Sequence, residues 1–367
     1  PLGPRPSRGA GGSPLPPSGG FGKVVGAIWR GRPVAARVLS SSSARRRPAP
    51  LLALAAQAEA LAQIRSPHVA EVLGARTTLP RAFLLMELSD LGSLASLLHT
   101  PTIRPMARAH LVALLRDAAR GVRHLHRHAH RHFNLRAANI LVWGSPLRAK
   151  VTDARLRVEW LSLGNGAAER AHRAWQAPEV LVVLEPDLAM RVGRMGLLRR
   201  KPAAHSSLRR STHHISGPSI PPIGGAHVRS VEEGGAAPND APGDDPAWPS
   251  PSSVADAYSF AVVIFEAVTR SIPFAGAREV GWLVAGLGER PRVPPEMARD
   301  TSLAPLLELM RECWDADPLR RPSFEGIAPR LEAEAEAAGR ELDERSEFDD
   351  TASLPFLEDQ LLRSRAA

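Results

Sequence analysis

Three groups of residues in this chain have types and spacings suited to chemistry. In Pro17-Ser18-Gly19-Gly20-Phe21-Gly22-Lys23-Val24 the glycines lack Cβ atoms, which lets backbone N–H groups come close to phosphate oxygens. Five alternating histidines, at 124, 126, 128, 130 and 132, have the look of a metal cluster. They straddle the end of a helical stripe with Leu125 among them, so their rings should not converge on one ion. The third is Cys313, the single cysteine of the chain. A lone cysteine excludes an internal disulfide and points to a reducing compartment. Its neighbour Trp314 and the flanking apolar residues place it on a buried helix face, where a thiol is inert.

The elements that must position these groups change character along the chain. Residues 1–16 are rich in Pro, Gly and Ser and read as a disordered leader that starts at Pro1. Residues 21–39 alternate like two strands about a turn at Gly31-Arg32-Pro33, and 51–65 read as a helix. Val69 to Leu73 and Ala82 to Leu88 read as strands. From residue 105 the apolar residues fall on a helical stripe through Leu111, Leu114, Leu115, Ala118, Val122 and Leu125. Short strands are expected at Ile140 to Val142 and Ala149 to Val151, and helices at 256–269 and 303–337. Residues 186–250 are polar, basic in their first half and acidic in their second, which predicts a disordered insertion. The tail 333–367 is acidic and partly helical in pattern.

The chain has 367 residues, 44% of them apolar, enough for one large domain or two lobes. Its net charge of +9 invites a nucleic-acid or membrane-surface reading, but it is spread along the sequence without interleaved aromatic residues, so nucleic acid is not the expected partner. No apolar run reaches membrane-spanning length.

His132-Phe133-Asn134-Leu135-Arg136-Ala137-Ala138-Asn139 resembles the catalytic loop of protein kinases. With the glycine-rich segment, Val34-Ala35-Ala36-Arg37, Val151-Thr152-Asp153-Ala154-Arg155, Trp175-Gln176-Ala177-Pro178-Glu179 and Arg321-Pro322, it forms an ordered series. The series is similar to the tyrosine-kinase-like branch of that superfamily. Parts resemble integrin-linked kinases (Ser259 to Ala275) and kinase suppressors of Ras (Arg37). The resemblance implies an α+β, bilobal protein-kinase-like fold over 17–332. A small β-rich N-lobe would occupy 17–88 and a larger α-helical C-lobe 89–332, interrupted by 186–250.

The resemblance also assigns roles. Gly19, Gly22, Val24, Ala35, Met86, Glu87, Leu88 and Leu141 would surround ATP, and Asn139 and Asp153 would hold Mg²⁺. Four structural positions carry the expected types: His132, Glu179 paired with Arg321, and Asp256, which would accept N–H bonds from the catalytic loop. The catalytic positions depart. Asn134 stands where an aspartate would accept the substrate proton, and a neutral carboxamide is far too weak a base. Arg37 stands at the phosphate-binding lysine, and Gln57 at its glutamate partner, with Glu59 the alternative on another helix face. Phe133 replaces the arginine that reads an activation-segment phosphate, and Leu156 to Ala174 contains no Thr or Tyr. Ala154 and Arg155 replace the Phe and Gly of the metal-binding triplet.

These departures predict a cytoplasmic pseudokinase, a scaffold or allosteric module for other signalling proteins. The alternative is a weak or atypical Ser/Thr kinase in which Lys23 replaces the missing lysine. Leu208-Arg209-Arg210-Ser211-Thr212 resembles a basophilic phosphorylation site, with a plain solvated loop as the other reading.

Overall fold

The computed structural model describes residues 23–39, 49–156, 172–194 and 252–346. The leader, Gly19 and Gly22, most of the activation segment, residues 195–251 with Ser211 and Thr212, and the tail from 347 lie outside the described residues.

Four antiparallel strands form the small lobe: β1 (Lys23–Trp29), β2 (Arg32–Val38), β3 (Val72–Arg76) and β4 (Phe83–Glu87), in the order β1-β2-β4-β3. The β1–β2 turn is Arg30-Gly31, with φ of 50° and 76°, so Arg32 and Pro33 already belong to β2. A two-residue hairpin with both residues left-handed matches the strand twist, and this moves the turn ahead of the expected Gly31-Arg32-Pro33. The register pairs Val24 with Arg37 and Gly26 with Ala35, which puts Val24, Ala35 and Arg37 on one face. Val34, Ala36 and Leu85 form a separate apolar cluster on the other. Helix α1 (Ala49–Ala62) packs on β3 and buries Leu54, Gln57 and Leu61.

The large lobe is helical: α2 (Leu94–His99), α3 (Arg108–Arg127), α4 (Pro178–Leu184), α5 (Pro186–Arg194), α6 (Val254–Thr269), α7 (Pro295–Ala298), α8 (Ala304–Cys313) and α9 (Phe324–Ser346). A two-stranded ribbon, β5 (Ile140–Trp143) with β6 (Arg148–Val151), lies between the lobes. Ala70 N donates to Val151 O and Val151 N to His68 O, both at 2.9 Å, so the ribbon is stitched to the segment entering β3. Gly121 of α3 allows this approach, because a Cβ there would lie 2.3 Å from His68 O. Helix α6 is apolar nearly all round and every residue from Ala255 to Thr269 is buried, as a central core helix requires. Cys313 is fully buried and burial pushes its thiol far above the ordinary range, so it packs and does not react.

Two boundaries differ from the sequence reading. Residues 186–194 are not insertion: they form α5, with Leu188 and Val192 buried one turn apart and Arg191 bonded to Glu279 at 3.2 Å. Pro186 reads as a breaker in sequence but here occupies the first position of a helix, where its missing N–H costs nothing. Helix α9 runs through residue 333 without interruption, because Arg120–Glu332 at 2.8 Å and Arg108–Glu341 at 2.8 Å bind it along α3.

The pair Glu179–Arg321 closes the large lobe. Arg321 Nη1 and Nη2 donate to Glu179 Oε1 and Oε2 at 2.6 and 3.1 Å, with both side chains almost wholly buried. Removing one partner strands the other charge in the core, so Arg321→Ala or Glu179→Ala should each cost about 3–5 kcal/mol in urea denaturation. Removing the exposed Arg191–Glu279 pair should leave the midpoint nearly unchanged.

Candidate functional site

The cleft between the lobes gathers residues distant in sequence. Val24, Ala35, Met86, Glu87, Leu88 and Leu141 line it, together with Arg37, Arg136, Asn139 and Asp153. Its volume of about 160 Å³ compares with the roughly 150 Å³ that admits one aromatic ring. The apolar residues lie on its walls because the β1–β2 register turns alternate side chains inward. Glu87 turns its carboxylate to Lys150 Nζ, 2.7 Å from both oxygens, and accepts Glu71 N at 2.8 Å. Lys23 is exposed and, one residue from Val24 on the strand, points to the opposite face from the cleft. It is not placed to substitute for a phosphate-binding lysine.

On the floor, the buried Asp153 carboxylate is the focus. Its Oδ1 lies 2.6 Å from Arg37 Nη1, and its Oδ2 accepts Asn134 Nδ2 at 3.0 Å and Arg155 Nη2 at 3.3 Å. Burial alone would raise its pKa, but Arg155, Arg37 and Arg136 outweigh burial and bring it down to about 2. Asp153 has φ of 57°, a left-handed conformation costly for a residue with a Cβ, and these bonds hold it there. Arg155 is further anchored by its backbone N–H to His132 O at 2.8 Å.

Gln57 locks α1 to this floor. Its Oε1 accepts Arg37 Nη1 at 3.2 Å while its Nε2 donates to Ala154 O at 2.5 Å. A glutamate at 57 could accept from Arg37 but not donate to a carbonyl. Glu59 is exposed, so Gln57 is the helix residue that faces Arg37. The Arg37–Gln57 contact is therefore made, and the ionic partner of Arg37 is Asp153. Replacement of the aromatic by Ala154 would be expected to uncouple this segment from α1. The coupling instead runs through the Ala154 backbone carbonyl, and a cavity of about 10 Å³ lined by Gln57, Leu61, His132 and Ala154 lies beside it.

The catalytic-loop segment hangs from Asp256. Its Oδ2 and Oδ1 accept His132 N and Phe133 N, both at 2.7 Å, and Oδ2 also accepts His126 Nε2 at 2.8 Å. Asn139 Nδ2 donates to Asn134 O at 2.6 Å. Phe133, with φ of 54°, buries its ring among Trp175, Val180 and Tyr258, so the segment after 172 is held by apolar packing where a phosphate contact would otherwise act. His126 and His132 serve this framework, and among the described residues no three His, Cys, Asp or Glu side chains converge on a metal position.

Three residues escaped the sequence reading. Glu266 of α6 is buried and accepts Trp175 Nε1 at 2.6 Å, Ala137 N at 3.2 Å and His99 Nε2 at 3.0 Å. Arg136 lines the cleft beside Arg37 and Asp153, and its buried Nε has no hydrogen-bond partner among the described residues. His172 lies near Arg136 and Arg155, and burial, reinforced by those cations, drives its pKa down to about 3. An arginine two residues past the base position was the sequence signal for Arg136; nothing comparable marked Glu266 or His172.

A family model described as protein tyrosine and serine/threonine kinase matches residues 17–187 and 250–331. This chain belongs to the protein kinase family. It is 27% identical over 288 residues to the probable serine/threonine-protein kinase drkC of Dictyostelium discoideum, covering 76% of this chain and 29% of that protein. It is 24% identical over 330 residues to human mitogen-activated protein kinase kinase kinase 10, covering 87% of this chain and 27% of that protein. It is 38% identical over 100 residues to the human scaffold protein ILK, covering 24% of this chain and 21% of that protein. The chain spans less than a third of the length of these curated relatives.

Protein kinases in general use ATP with Mg²⁺. The apolar walls of this kinase cleft suit an aromatic base. The floor does not suit Mg²⁺, which demands near-octahedral oxygen ligands. Both oxygens of Asp153 already face guanidinium groups, so a cation there would have to displace Arg37 or Arg155.

Gln57→Met keeps the volume but removes both bonds and strands Ala154 O. It should cost about 1–3 kcal/mol in urea denaturation, whereas Glu59→Met should stay within about 0.5 kcal/mol. Stability should also fall as pH drops. His68, His110, His124, His130, His132 and His172 all have folded pKa values below 6.5, each chiefly through burial. The unfolded chain therefore takes up more protons once pH passes below about 6.5, and stability is lost there. His99 opposes this: its bond to Glu266 raises its pKa, and its contribution is present below pH 6.5 and lost at higher pH. Six groups outweigh one, so the melting temperature should fall by several degrees from pH 7 to pH 5. A flat profile would contradict the assignment of these histidines as neutral.

Proposed function

We propose that this kinase-fold chain is a pseudokinase that acts as a scaffold or allosteric binding module for other signalling proteins in the cytoplasm. One observation carries the reading. Asn134, at the base position, donates Nδ2 to Asp153 Oδ2 at 3.0 Å and to Asp153 O at 3.2 Å. The group that would have to accept a proton is a hydrogen-bond donor to the residue that would have to hold the metal.

The surrounding bonds support it. Arg37, Gln57, Asp153 and Ala154 form one closed network, so the two lobes are joined through groups that an active kinase presents to nucleotide and metal. The framework that gives the lobe pair its shape, Asp256, Glu179–Arg321 and Glu266, is intact. A fixed shape without turnover is what a binding module needs. The similarity of part of the chain to a protein named a scaffold agrees with this, while the longer matches are to proteins named as kinases. A weak kinase relying on Lys23 has no support, since Lys23 faces away from the cleft.

Incubation with γ-labelled ATP and Mg²⁺ should give no transfer to protein or peptide hydroxyls. Asn134→Asp alone should not restore it, because Arg37 and Arg155 still occupy Asp153. Base loss accounts for only about 10²–10⁴-fold, and positioning of the phosphates for more. Robust transfer by the unaltered chain, abolished by Asp153→Ala, would overturn the reading.

A further inference from the structure

Arg37 and Arg136 both reach the cleft floor, at the end of its apolar walls. Arg155 is not part of the cleft wall, but its Nη2 lies 3.3 Å from Asp153 Oδ2 and cancels that carboxylate. Three guanidinium groups therefore act on Asp153 while Glu266 also acts on Arg136, leaving one positive charge in excess. Arg136 is close enough to Arg37 that the two oppose each other's charge, and Arg136 is mostly buried with Nε lacking a hydrogen-bond partner among the described residues. Charged donors are normally matched, so a guanidinium that lines an open cleft with no carboxylate bonded to it among the described residues marks a place where an anion completes the structure. His172, held neutral beside Arg136 and Arg155, adds no charge of its own.

Resting on the reading of this cleft as a nucleotide slot, we infer that it binds a purine nucleoside polyphosphate without a divalent cation, the guanidinium groups of Arg37 and Arg136 taking the place of Mg²⁺. The base occupies the slot between Val24, Ala35 and Leu141, as the apolar walls allow. The phosphates meet Arg37 and Arg136, whose planar forks bind phosphate oxygens in pairs. Arg155 contributes indirectly. By neutralising Asp153 it removes both the metal ligand and the repulsion that a bare carboxylate would exert on phosphate. In a kinase of ordinary design this position is a glycine and the aspartate is free for the ion. Binding draws phosphate to the network that joins Arg37 to Gln57 and thus to α1, so occupancy stiffens the contact between the lobes without any chemistry.

The test is isothermal titration of the full chain with ATP in EDTA and in excess Mg²⁺, with adenosine and inorganic tripolyphosphate as partial ligands, backed by thermal shift. ATP should bind in EDTA at least as tightly as in Mg²⁺, since the ion masks the charge the arginines recognise. Adenosine alone should bind at least tenfold more weakly. Arg136→Gln, which removes a cleft cation without unpairing Asp153, should weaken ATP tenfold or more while leaving adenosine unchanged. Arg155→Gly should remove one of the two guanidinium groups on Asp153, with Arg37 still on Oδ1, and raise the ratio of ATP affinity in Mg²⁺ to that in EDTA. ATP binding that requires Mg²⁺ in the unaltered chain, or an Arg136→Gln variant with full affinity, would overturn the inference. Absence of any nucleotide binding would overturn it too, yet leave the scaffold reading standing. Phosphoryl transfer would remove the scaffold reading and leave metal-free binding as a separate measurement.

Discussion

Asp153 is a carboxylate withdrawn from water, and such a charge is tolerated only when matched. Here it is matched twice over, by Arg37 from the small lobe and Arg155 from its own segment, with the Asn134 amide completing its second oxygen. The rest of the site follows from that arrangement. Arg37 is positioned to meet Gln57, Gln57 is positioned to meet Ala154 O, and Ala154 adjoins Asp153 in the chain. The ring of bonds closes on itself and joins the sheet, α1 and the floor of the cleft into one unit.

Such closure separates shape from chemistry. In an enzyme that transfers phosphate, an aspartate and a lysine at these positions stay available for metal and nucleotide, and part of the stability is sacrificed to keep them so. In this chain the same positions satisfy one another. Arg37, Gln57 and Arg155 differ from the family's motif residues, and each finds a partner in the same network. This is why Gln57 with its two-sided amide suits the position better than a carboxylate, and why Arg155 stands where glycine would leave a bare turn.

The framework beneath is conservative in its physics. Asp256 gathers the N–H groups of His132 and Phe133, and Glu266 gathers Trp175, Ala137 and His99. Both carboxylates lie on α6, a helix buried along its whole length, so the catalytic-loop segment and the segment after 172 are hung from one rigid rod. Phe133 then packs with Trp175, Val180 and Tyr258, which fixes the segment after 172 by apolar contact.

Much of this was legible in the residues. Alternation and helical stripes located most strands and helices, since burial of one face leaves a period in the sequence. Ordered motifs named the positions of Asn134, Arg37, Asp153 and Asp256. The start of α5 was not legible, because Pro186 breaks a helix interior but begins a helix equally well. Whether Gln57 or Glu59 faced Arg37 stayed open, since helix phase is known only once the helix is docked, and docking buries Gln57 and exposes Glu59. The sequence by itself determined which residues stand at the positions of the family's motifs. Only the tertiary structure decided what the replacements do, because the partner of a buried charge is chosen by proximity in space: Arg37 meets Asp153, and Arg136 faces the cleft, across chain separations that carry no local signal.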